Sequence, residues 1–314
     1  MALPAPVERL KAASLSRWEA MTPLARGALL VSAGSLTLVV MGVLVKVLGA
    51  RLPSFEILFF RSFIGFLLVL PVFMGDPMEP FRTKRPMMHL ARGASGALGN
   101  ACFFWTITHM LFADAMALQF SRPLFMIPLA MLFLGEVVGA KRTMVACVGF
   151  LGILLYSRPF SAGFDPGAFV GALGAFAGGL VVICIKRLSS TEPTRVIMFY
   201  YAFWNAVFAA IPAFWWWVWP SWPELGLLCL VGFLGIGGQS LITHGFTLGD
   251  ATALAPLDYF RIVYSAVLGY LIFSELPGLW SVAGMALSVS ASLYLVLTEK
   301  RGSQKSEIGN RKEP

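Results

Sequence analysis

Residues 113–136 read ADAMALQFSRPLFMIPLAMLFLGE, and residues 249–277 read GDATALAPLDYFRIVYSAVLGYLIFSELP. Both stretches are apolar over about 20 residues, the length of α-helix that crosses a bilayer. Each carries an aspartate near its start and an arginine fourteen residues before a glutamate, Arg122 in the first stretch and Arg261 in the second. A long apolar segment that recurs with its charges in register predicts membrane-spanning helices built from a repeated unit.

The composition of the chain excludes most soluble fold classes. Of the 314 residues, 58% are hydrophobic and 13% are charged, and the mean hydropathy is +0.77. Soluble proteins carry about 25% charged residues. The four cysteines lie singly inside apolar segments, so we expect neither disulfides nor a metal site, and no motif indicates a cofactor. The expected fold class is an all-α polytopic membrane protein.

The basic residues predict the topology of the chain. Ten spans are predicted near residues 25–48, 54–74, 88–111, 114–135, 142–157, 167–185, 196–218, 223–246, 251–273 and 279–297. If the N-terminus is cytoplasmic, the cytoplasmic segments receive seventeen Lys and Arg residues and the outer loops receive two, Arg51 and Arg158. This asymmetry predicts ten transmembrane helices with both termini inside. The net charge of +8 is then a topology signal, and no nucleic-acid partner is expected.

The two halves of the chain contain matching sequence blocks. Gly27-Ala28-Leu29 recurs as Gly171-Ala172-Leu173, and Thr108-His109 recurs as Thr243-His244. Because each half holds five predicted spans, the second copy enters the membrane from the opposite side, which makes two inverted five-helix repeats and suits alternating access. The predicted organisation is a cytoplasmic tail at 1–23, a first repeat at 24–158, a second, inverted repeat at 159–298 and a basic cytoplasmic tail at 299–314.

The quoted stretches, together with Phe59-Phe60-Arg61 in the second predicted span, resemble the drug/metabolite transporter superfamily in its EamA-type, ten-helix branch. The resemblance extends from about Leu24 to Leu297. It implies a secondary carrier of small metabolites with a central cavity lined by spans 1, 3, 4, 6, 8 and 9. Where many relatives carry a small residue before the proline of the fourth span, this chain carries Arg122, which argues against a cationic substrate.

Two arginines near mid-membrane are the main candidates for substrate binding. A charged side chain inside the bilayer costs at least about 2.5 kcal/mol, so it needs a partner or a function. Arg122 and Arg261 hold equivalent repeat positions, and two guanidiniums facing one cavity would bind a carboxylate or phosphate bidentately. Alternatively, each arginine pairs with a structural carboxylate, Asp258 being three residues before Arg261. Arg61 is interpreted as a structural cation bound to carbonyls or lying at the outer interface.

The remaining candidates are of two kinds. Some are polar residues that lie near helix-breaking prolines or at a similar depth in other predicted spans. The others are titratable groups close enough to a transport pathway to take part in it. The predicted substrate-binding residues are Arg122, Arg261, Tyr259, Gln119, Asn100, Trp105 and Gln239. The coupling or gating candidates are Asp258, Glu56, His109 and His244. A buried amide could instead bond a neighbouring helix. Lys46 and Arg92 lie near enough to span ends for their side chains to reach the interface.

One motif suggests an enzyme. His109 and Asp114 form an H-x4-D string, which also occurs in some lipid acyltransferases. The second copy, from His244 to Asp250, has a different spacing and falls on the opposite membrane face. The pair is therefore interpreted as turn chemistry, with the aspartate as the N-cap of the following helix, and no catalytic residue is predicted.

The sequence predicts a multi-pass inner-membrane secondary transporter that moves a small anionic or zwitterionic metabolite, such as an amino acid or a carboxylate. An exporter of cationic or amphipathic compounds is the alternative, and a membrane-embedded lipid-modifying enzyme is the alternative from another class. No G-x4-G-K-[ST] motif for ATP occurs, so transport energy would come from gradients. The expected partners are the substrate and the lipid bilayer. Coupling to a proton or a counter-substrate, the direction of transport and the oligomeric state stay open.

Overall fold

The computed structural model describes residues 21–135, 139–157, 166–248, 254 and 257–310, and every regular element within these ranges is helical. The α-helices are α1 (Pro23–Leu48), α2 (Ser54–Val69), α3 (Pro86–His109), α4 (Phe112–Gln119), α5 (Arg122–Leu134), α6 (Ala140–Ser157), α7 (Gly167–Leu188), α8 (Thr194–Trp215), α9 (Trp222–Leu248), α10 (Phe260–Phe273) and α11 (Leu279–Asn310). Two 3₁₀ turns, Leu70–Phe73 and Glu79–Arg82, lie between α2 and α3.

Several helices are long and apolar enough to cross a bilayer. In the described part of the chain, six segments meet this requirement: Pro23–Leu48, Ser54–Phe73, Phe112–Phe133, Gly167–Leu188, Thr194–Trp215 and Trp222–Gly245. Shorter apolar helices accompany them at Thr143–Leu155, Phe260–Phe273 and Leu279–Tyr294. The protein is thus an all-helical, multi-pass membrane protein, as the composition predicts.

Local sequence signals explain where individual helices begin and end. Helix α1 starts with Pro23 after Thr22, whose hydroxyl accepts a hydrogen bond from the Ala25 amide at 3.3 Å. Helix α5 ends at Gly135, and α10 ends at Ser274; both residues adopt the left-handed conformation, with φ of 66° and 55°. Glycine takes this conformation without steric cost, whereas serine does not.

The helices pack in pairs that join the two halves of the chain. Helix α1 packs along α9, and α3 packs along α7; α2 contacts α8, and α6 contacts α11. Glycines allow the first two pairs to approach closely. A Cβ atom built on Gly34 would lie 2.7 Å from the Gly238 carbonyl oxygen, and one built on Gly99 would lie 3.3 Å from the Gly174 carbonyl oxygen. The main apolar core fills the space between α1, α2, α3, α4 and α9.

An ion pair joins the loop after α1 to the start of α9. The Arg51 Nε donates to Glu224 Oε1 at 2.6 Å, and the Arg51 Nη2 donates to the Trp219 carbonyl oxygen at 3.0 Å. The hydrogen bond to Glu224 raises the pKa of Arg51, so the pair stays charged at any physiological pH. Nearby, Trp215 and Trp222 expose 73% and 87% of their surface, as expected of a tryptophan belt at a membrane interface.

Candidate functional site

A cavity of about 740 Å³ lies inside the helical bundle, a volume typical of sites for drug-sized molecules. The described residues that line it come from α1, α2, α3, α4, α5, α8, α9 and α10 and from the segments before α5 and α10. They are Leu38, Met41, Arg61, Asn100, Phe103, Phe104, Met116, Gln119, Phe120, Arg122, Pro123, Tyr201, Gln239, Ile242, Thr243, Asp258, Tyr259 and Arg261.

Most of the residues singled out from the sequence meet in this one cavity. Its lining includes six of the seven predicted substrate-binding residues and one of the four coupling candidates. The six are Arg122, Arg261, Tyr259, Gln119, Asn100 and Gln239, and the coupling candidate is Asp258. A shared location is what substrate binding requires, although it does not by itself identify a ligand.

The cavity lies beside two interrupted helices. The fourth predicted span is broken at Phe120 and Ser121, between the end of α4 and the start of α5 and two residues before Pro123. A similar turn at Tyr259 precedes α10. The rings of Phe120 and Tyr259 pack against each other with centroids 4.7 Å apart. Broken helices that line a cavity are typical of substrate sites in transporters, because they bring helix N-termini and free backbone groups to mid-membrane.

Arg261 is neutralised within the protein. Its Nε donates to Asp258 Oδ1 at 2.7 Å, and the Ser35 hydroxyl donates to the same oxygen at 2.8 Å. The Arg261 guanidinium also lies 5.7 Å from the centroid of the Phe120 ring. The i,i+3 carboxylate that the sequence offers as a structural partner is therefore in contact with this arginine.

Among the residues that the structure describes, Arg122 has no equivalent partner. Its Nε packs against α7, where a Cβ atom built on Gly178 would lie 2.5 Å away. This Nε is buried without a hydrogen-bond partner, and Arg122 forms no ion pair with a carboxylate that the structure describes. The charges of Asp258 and Arg261 act on it through space with opposite signs. Arg122 thus presents an unneutralised guanidinium at the cavity wall.

Arg61, interpreted from the sequence as a structural cation bound to carbonyls or lying at the outer interface, is a third arginine in the cavity lining. Its Nε packs on α9, 3.0 Å from a Cβ atom built on Gly235, and its guanidinium lies 5.6 Å from the centroid of the Phe104 ring. Its Nε also lacks a hydrogen-bond partner among the described residues. The signal that could have identified it is its position in the middle of an apolar segment. The described lining therefore holds three arginines and one carboxylate.

An amide and a phenol form a polar section of the wall. The Asn100 amide donates to the Tyr201 hydroxyl at 2.9 Å and to Asn205 Oδ1 at 2.9 Å. Tyr201 also stacks on Arg92, whose guanidinium carbon lies 4.4 Å from the ring centroid. Arg92 is only 5% exposed and donates to the Ile197 carbonyl oxygen. The expectation that Arg92 reaches the interface is therefore wrong, since it supports Tyr201 from inside the bundle.

Four candidates lie outside the described lining of the cavity. Trp105 stacks on His109, with ring centroids 4.2 Å apart, and His109 is exposed. His244 is exposed on α9. Glu56 is fully buried and accepts a hydrogen bond from the Val218 amide at 3.0 Å, so it positions the chain after α8. Trp105 and His109 contact each other, but none of the four belongs to the described lining of the cavity.

A cluster of charged and backbone groups joins the ends of several helices. Lys46 forms an ion pair with Glu275, and its Nζ donates to the Met110 carbonyl oxygen at 2.7 Å. Glu275 Oε2 in turn accepts a hydrogen bond from the Phe112 amide at 2.7 Å. This cluster joins the end of α1, the turn between α3 and α4, and the segment after α10. Lys46 does not reach out to an interface, because its partner lies inside the protein.

The same cluster corrects the expected helix cap. The sequence predicts Asp114 as an N-cap, but Leu111 occupies the N-cap position and Asp114 lies in the first turn of α4. Glu275, which is 163 positions along the chain from Phe112, satisfies the free amide at the start of this helix instead. The second aspartate of the repeat, Asp250, lies outside the described residues, as do Glu136 and Pro256.

A smaller cavity of about 310 Å³ adjoins the central one between α2, α8 and α9. Arg61, Tyr201 and Gln239 border both cavities. The rest of its described lining is mainly apolar or small, including Val69, Val72 and Gly232, and Arg195 lies at its edge. Nowhere in the described ranges do three or more His, Cys, Asp or Glu side chains cluster in a way that could hold a metal ion.

Comparison with known proteins adds evidence about the family. A model of the EamA-like transporter family matches residues 25–158 and again residues 165–297. The S-adenosylmethionine uptake transporter of Rickettsia felis is 33% identical over 266 residues, which cover 84% of this chain and 90% of that protein. The pseudopaline exporter of Pseudomonas aeruginosa is 37% identical over 277 residues, covering 87% and 97%.

More distant similarities agree with these matches. The riboflavin transporter of Rhizobium johnstonii is 28% identical over 254 residues, covering 81% of this chain and 84% of that protein. A protein of known crystal structure superposes with a TM-score of 0.55 at 22% identity, covering 88% of this chain and 98% of that one. At this level of identity the structural match supports the fold alone.

Proposed function

Because the chain belongs to the EamA-like transporter family, we propose that it carries a small anionic or zwitterionic organic metabolite across the inner membrane by alternating access. Its family and its relatives make it a small-metabolite transporter and not an enzyme, so the H-x4-D string has no catalytic role. The relatives differ in cargo and direction, one being named for uptake and another for export. Substrate class therefore has to come from the cavity of this chain.

The charge of the cavity wall is the observation that carries the proposal. Among the described lining residues, three arginines face one carboxylate, and that carboxylate is engaged by Arg261. A cation would meet net positive charge at this wall, whereas an anion would neutralise Arg122 and Arg61. The proposed substrate-binding set is Arg122, Arg261, Tyr259, Gln119, Asn100 and Gln239, to which the geometry adds Arg61 and Tyr201.

The helix pairing supports alternating access. If each helix is replaced by its counterpart in the other half of the chain, the pair α1–α9 becomes the pair α3–α7, and the reverse also holds. The pairs α2–α8 and α6–α11 are unchanged by this exchange. We propose two inverted five-helix repeats, at 24–158 and 159–298, flanked by cytoplasmic tails at 1–23 and 299–314. The two matches of the family model support this division. Ten spans with both termini inside follow from the distribution of basic residues.

Counterflow in proteoliposomes tests the substrate class. Vesicles are loaded in turn with unlabelled amino acids, organic acids and cationic drugs, and uptake of the same radiolabelled compound is measured. We expect exchange of anionic or zwitterionic compounds, and its loss in Arg122→Ala. Lys84→Ala, which removes an exposed loop cation, is the matched control. Exchange of cations alone, unchanged by Arg122→Ala, would favour the alternative of a cation exporter and refute the proposal.

A further inference from the structure

The two copies of the repeat differ at the position three residues before the arginine. This difference determines which arginine has a neighbouring carboxylate. Arg122 and Arg261 are 139 positions apart, and so are Phe120 and Tyr259, whose rings stack in the cavity. The same offset pairs Gln119 with Asp258. The second copy therefore provides its arginine with a carboxylate three residues earlier, and the first copy provides a neutral amide.

The hydrogen bonds of the two arginines differ in the same way as their sequences. Asp258 is bonded to Arg261 and to Ser35, so the carboxylate in the second copy is already occupied. In the first copy the Nε of Arg122 is buried without a partner in the described residues. A buried and unpaired guanidinium is costly, and proteins retain such groups mainly where a ligand supplies the missing charge.

The Nε of Arg61 also has no hydrogen-bond partner among the described residues, and Arg61 lies on a different wall of the cavity. It packs on Gly235 of α9, which belongs to the α1–α9 pair, whereas Arg122 packs on Gly178 of α7, which belongs to the α3–α7 pair. The two guanidiniums are therefore fixed to different helix pairs. One small anion bound to Arg122 alone would leave Arg61 without a counter-charge.

We propose that Arg122 and Arg61 each bind one anionic group of the cargo. The cargo is then a dianionic metabolite of the dicarboxylate class. Glutamine at position 119 keeps Arg122 available for this cargo because it supplies no carboxylate. The inference rests on the proposed transport function, which it narrows from anionic or zwitterionic compounds to those with two separated negative groups. Asp258 has the opposite role, since it neutralises Arg261, which still lines the site beside Phe120 but has no charge left for a second anionic group of the cargo.

Substitution at position 119 tests this role without any ligand. Gln119→Asp gives Arg122 an internal partner at the spacing found in the second copy, so we expect the melting temperature of the ligand-free protein to rise by about 2 to 4 °C. Gln119→Asn changes the length of the side chain as the aspartate does but adds no charge, and it should not raise the melting temperature. Equal behaviour of the two variants would overturn the assignment of Arg122 as the free arginine.

Ligand binding tests the charge of the cargo. The probes are succinate, glutarate, adipate, pimelate and terephthalate, each compared with its monoamide, and binding to protein in nanodiscs is measured by calorimetry and thermal shift. We expect at least one dicarboxylate to bind and its monoamide to bind ~10-fold more weakly or worse. Gln119→Asp should weaken dicarboxylate binding at least ~10-fold more than Gln119→Asn does, because only the aspartate competes for Arg122. Binding by no dicarboxylate, or equal binding by the monoamides, would overturn the inference.

The outcomes separate this inference from the proposed function. Dicarboxylates that bind in nanodiscs but are not exchanged in proteoliposomes would refute transport and leave the anion site standing. Exchange of amino acids or monocarboxylates without dicarboxylate binding would support transport of anions or zwitterions and refute the dianionic cargo. Arg61→Gln should weaken the dicarboxylate as Arg122→Gln does, and should leave a monoamide nearly unaffected.

Discussion

If the ion pair between Lys46 and Glu275 holds the end of α1 against the segment after α10, replacing Glu275 with glutamine should loosen that end of the bundle. The two side chains are only 13% and 16% exposed, so their ion pair is largely shielded from water. The amide of glutamine can still accept the hydrogen bond from the Phe112 amide, but it cannot neutralise Lys46. A hydrogen bond to a charged group is worth about 1.5 to 3 kcal/mol. A loss of ~2 kcal/mol from the closed conformation would raise the population of the open one ~30-fold.

Cysteine accessibility measures this population. Thr243→Cys places a thiol of similar size in the cavity lining, in a background where the exposed Cys147 and Cys229 are serine. A membrane-impermeant maleimide is applied only from the face on which Lys46 lies. We expect Glu275→Gln to speed labelling by ~10- to 30-fold.

The control for this experiment is Arg51→Gln. It breaks the ion pair with Glu224, where Arg51 is 47% exposed, and exposed pairs contribute ~0 to 1 kcal/mol. Labelling in this control should change by less than ~3-fold. Labelling that is the same in Glu275→Gln as in the parent protein would refute the reasoning that this ion pair holds that end of the bundle together.

Three further predictions follow from single contacts. Ser274→Gly should stabilise the protein by ~1 kcal/mol in thermal unfolding, because glycine relieves the left-handed backbone at φ of 55°; a lower melting temperature would contradict this. Gly178→Ala should displace Arg122 and reduce exchange, since the new Cβ would lie 2.5 Å from its Nε, whereas Gly226→Ala, with no atom within 4 Å, should exchange normally. Tyr201→Phe removes one acceptor of the Asn100 amide and should cost ~1 kcal/mol of stability, measured by chemical unfolding; an unchanged midpoint would show that this bond contributes little.

The helices are predictable from sequence because hydrophobicity determines what can lie in a bilayer. Helix α1 follows its predicted range to within two residues, and its start is marked by Thr22 and Pro23. The break between α4 and α5 was foreseeable from Pro123, since a proline cannot continue the hydrogen bonding of the preceding turn. Pro128, in contrast, remains inside α5, which its neighbours support.

The site is predictable from the sequence only in part. A charge in an apolar segment identifies a residue of interest, but it does not show which residues that side chain contacts in the folded protein. Arg122 and Arg261 are identified by their charge near the middle of an apolar segment. Arg61 meets the same criterion, although the sequence favours its interpretation as a structural cation. The ion pair between Lys46 and Glu275 could not be found, since its members are 229 positions apart and meet only in the folded bundle. Tyr201 carries no charge, and its place in the cavity depends on the packing of α8 beside α3.

If unpaired arginines in the cavity hold an anionic cargo, the affinity for a dicarboxylate must depend on Arg122. This is tested by the dissociation constant of a dicarboxylate for the wild-type protein, Arg122→Gln and the exposed-loop control Lys84→Gln. We expect at least ~10-fold weaker binding in Arg122→Gln and no change in the control, because a charge-assisted hydrogen bond is lost only in the first. Equal affinity in all three proteins would contradict it.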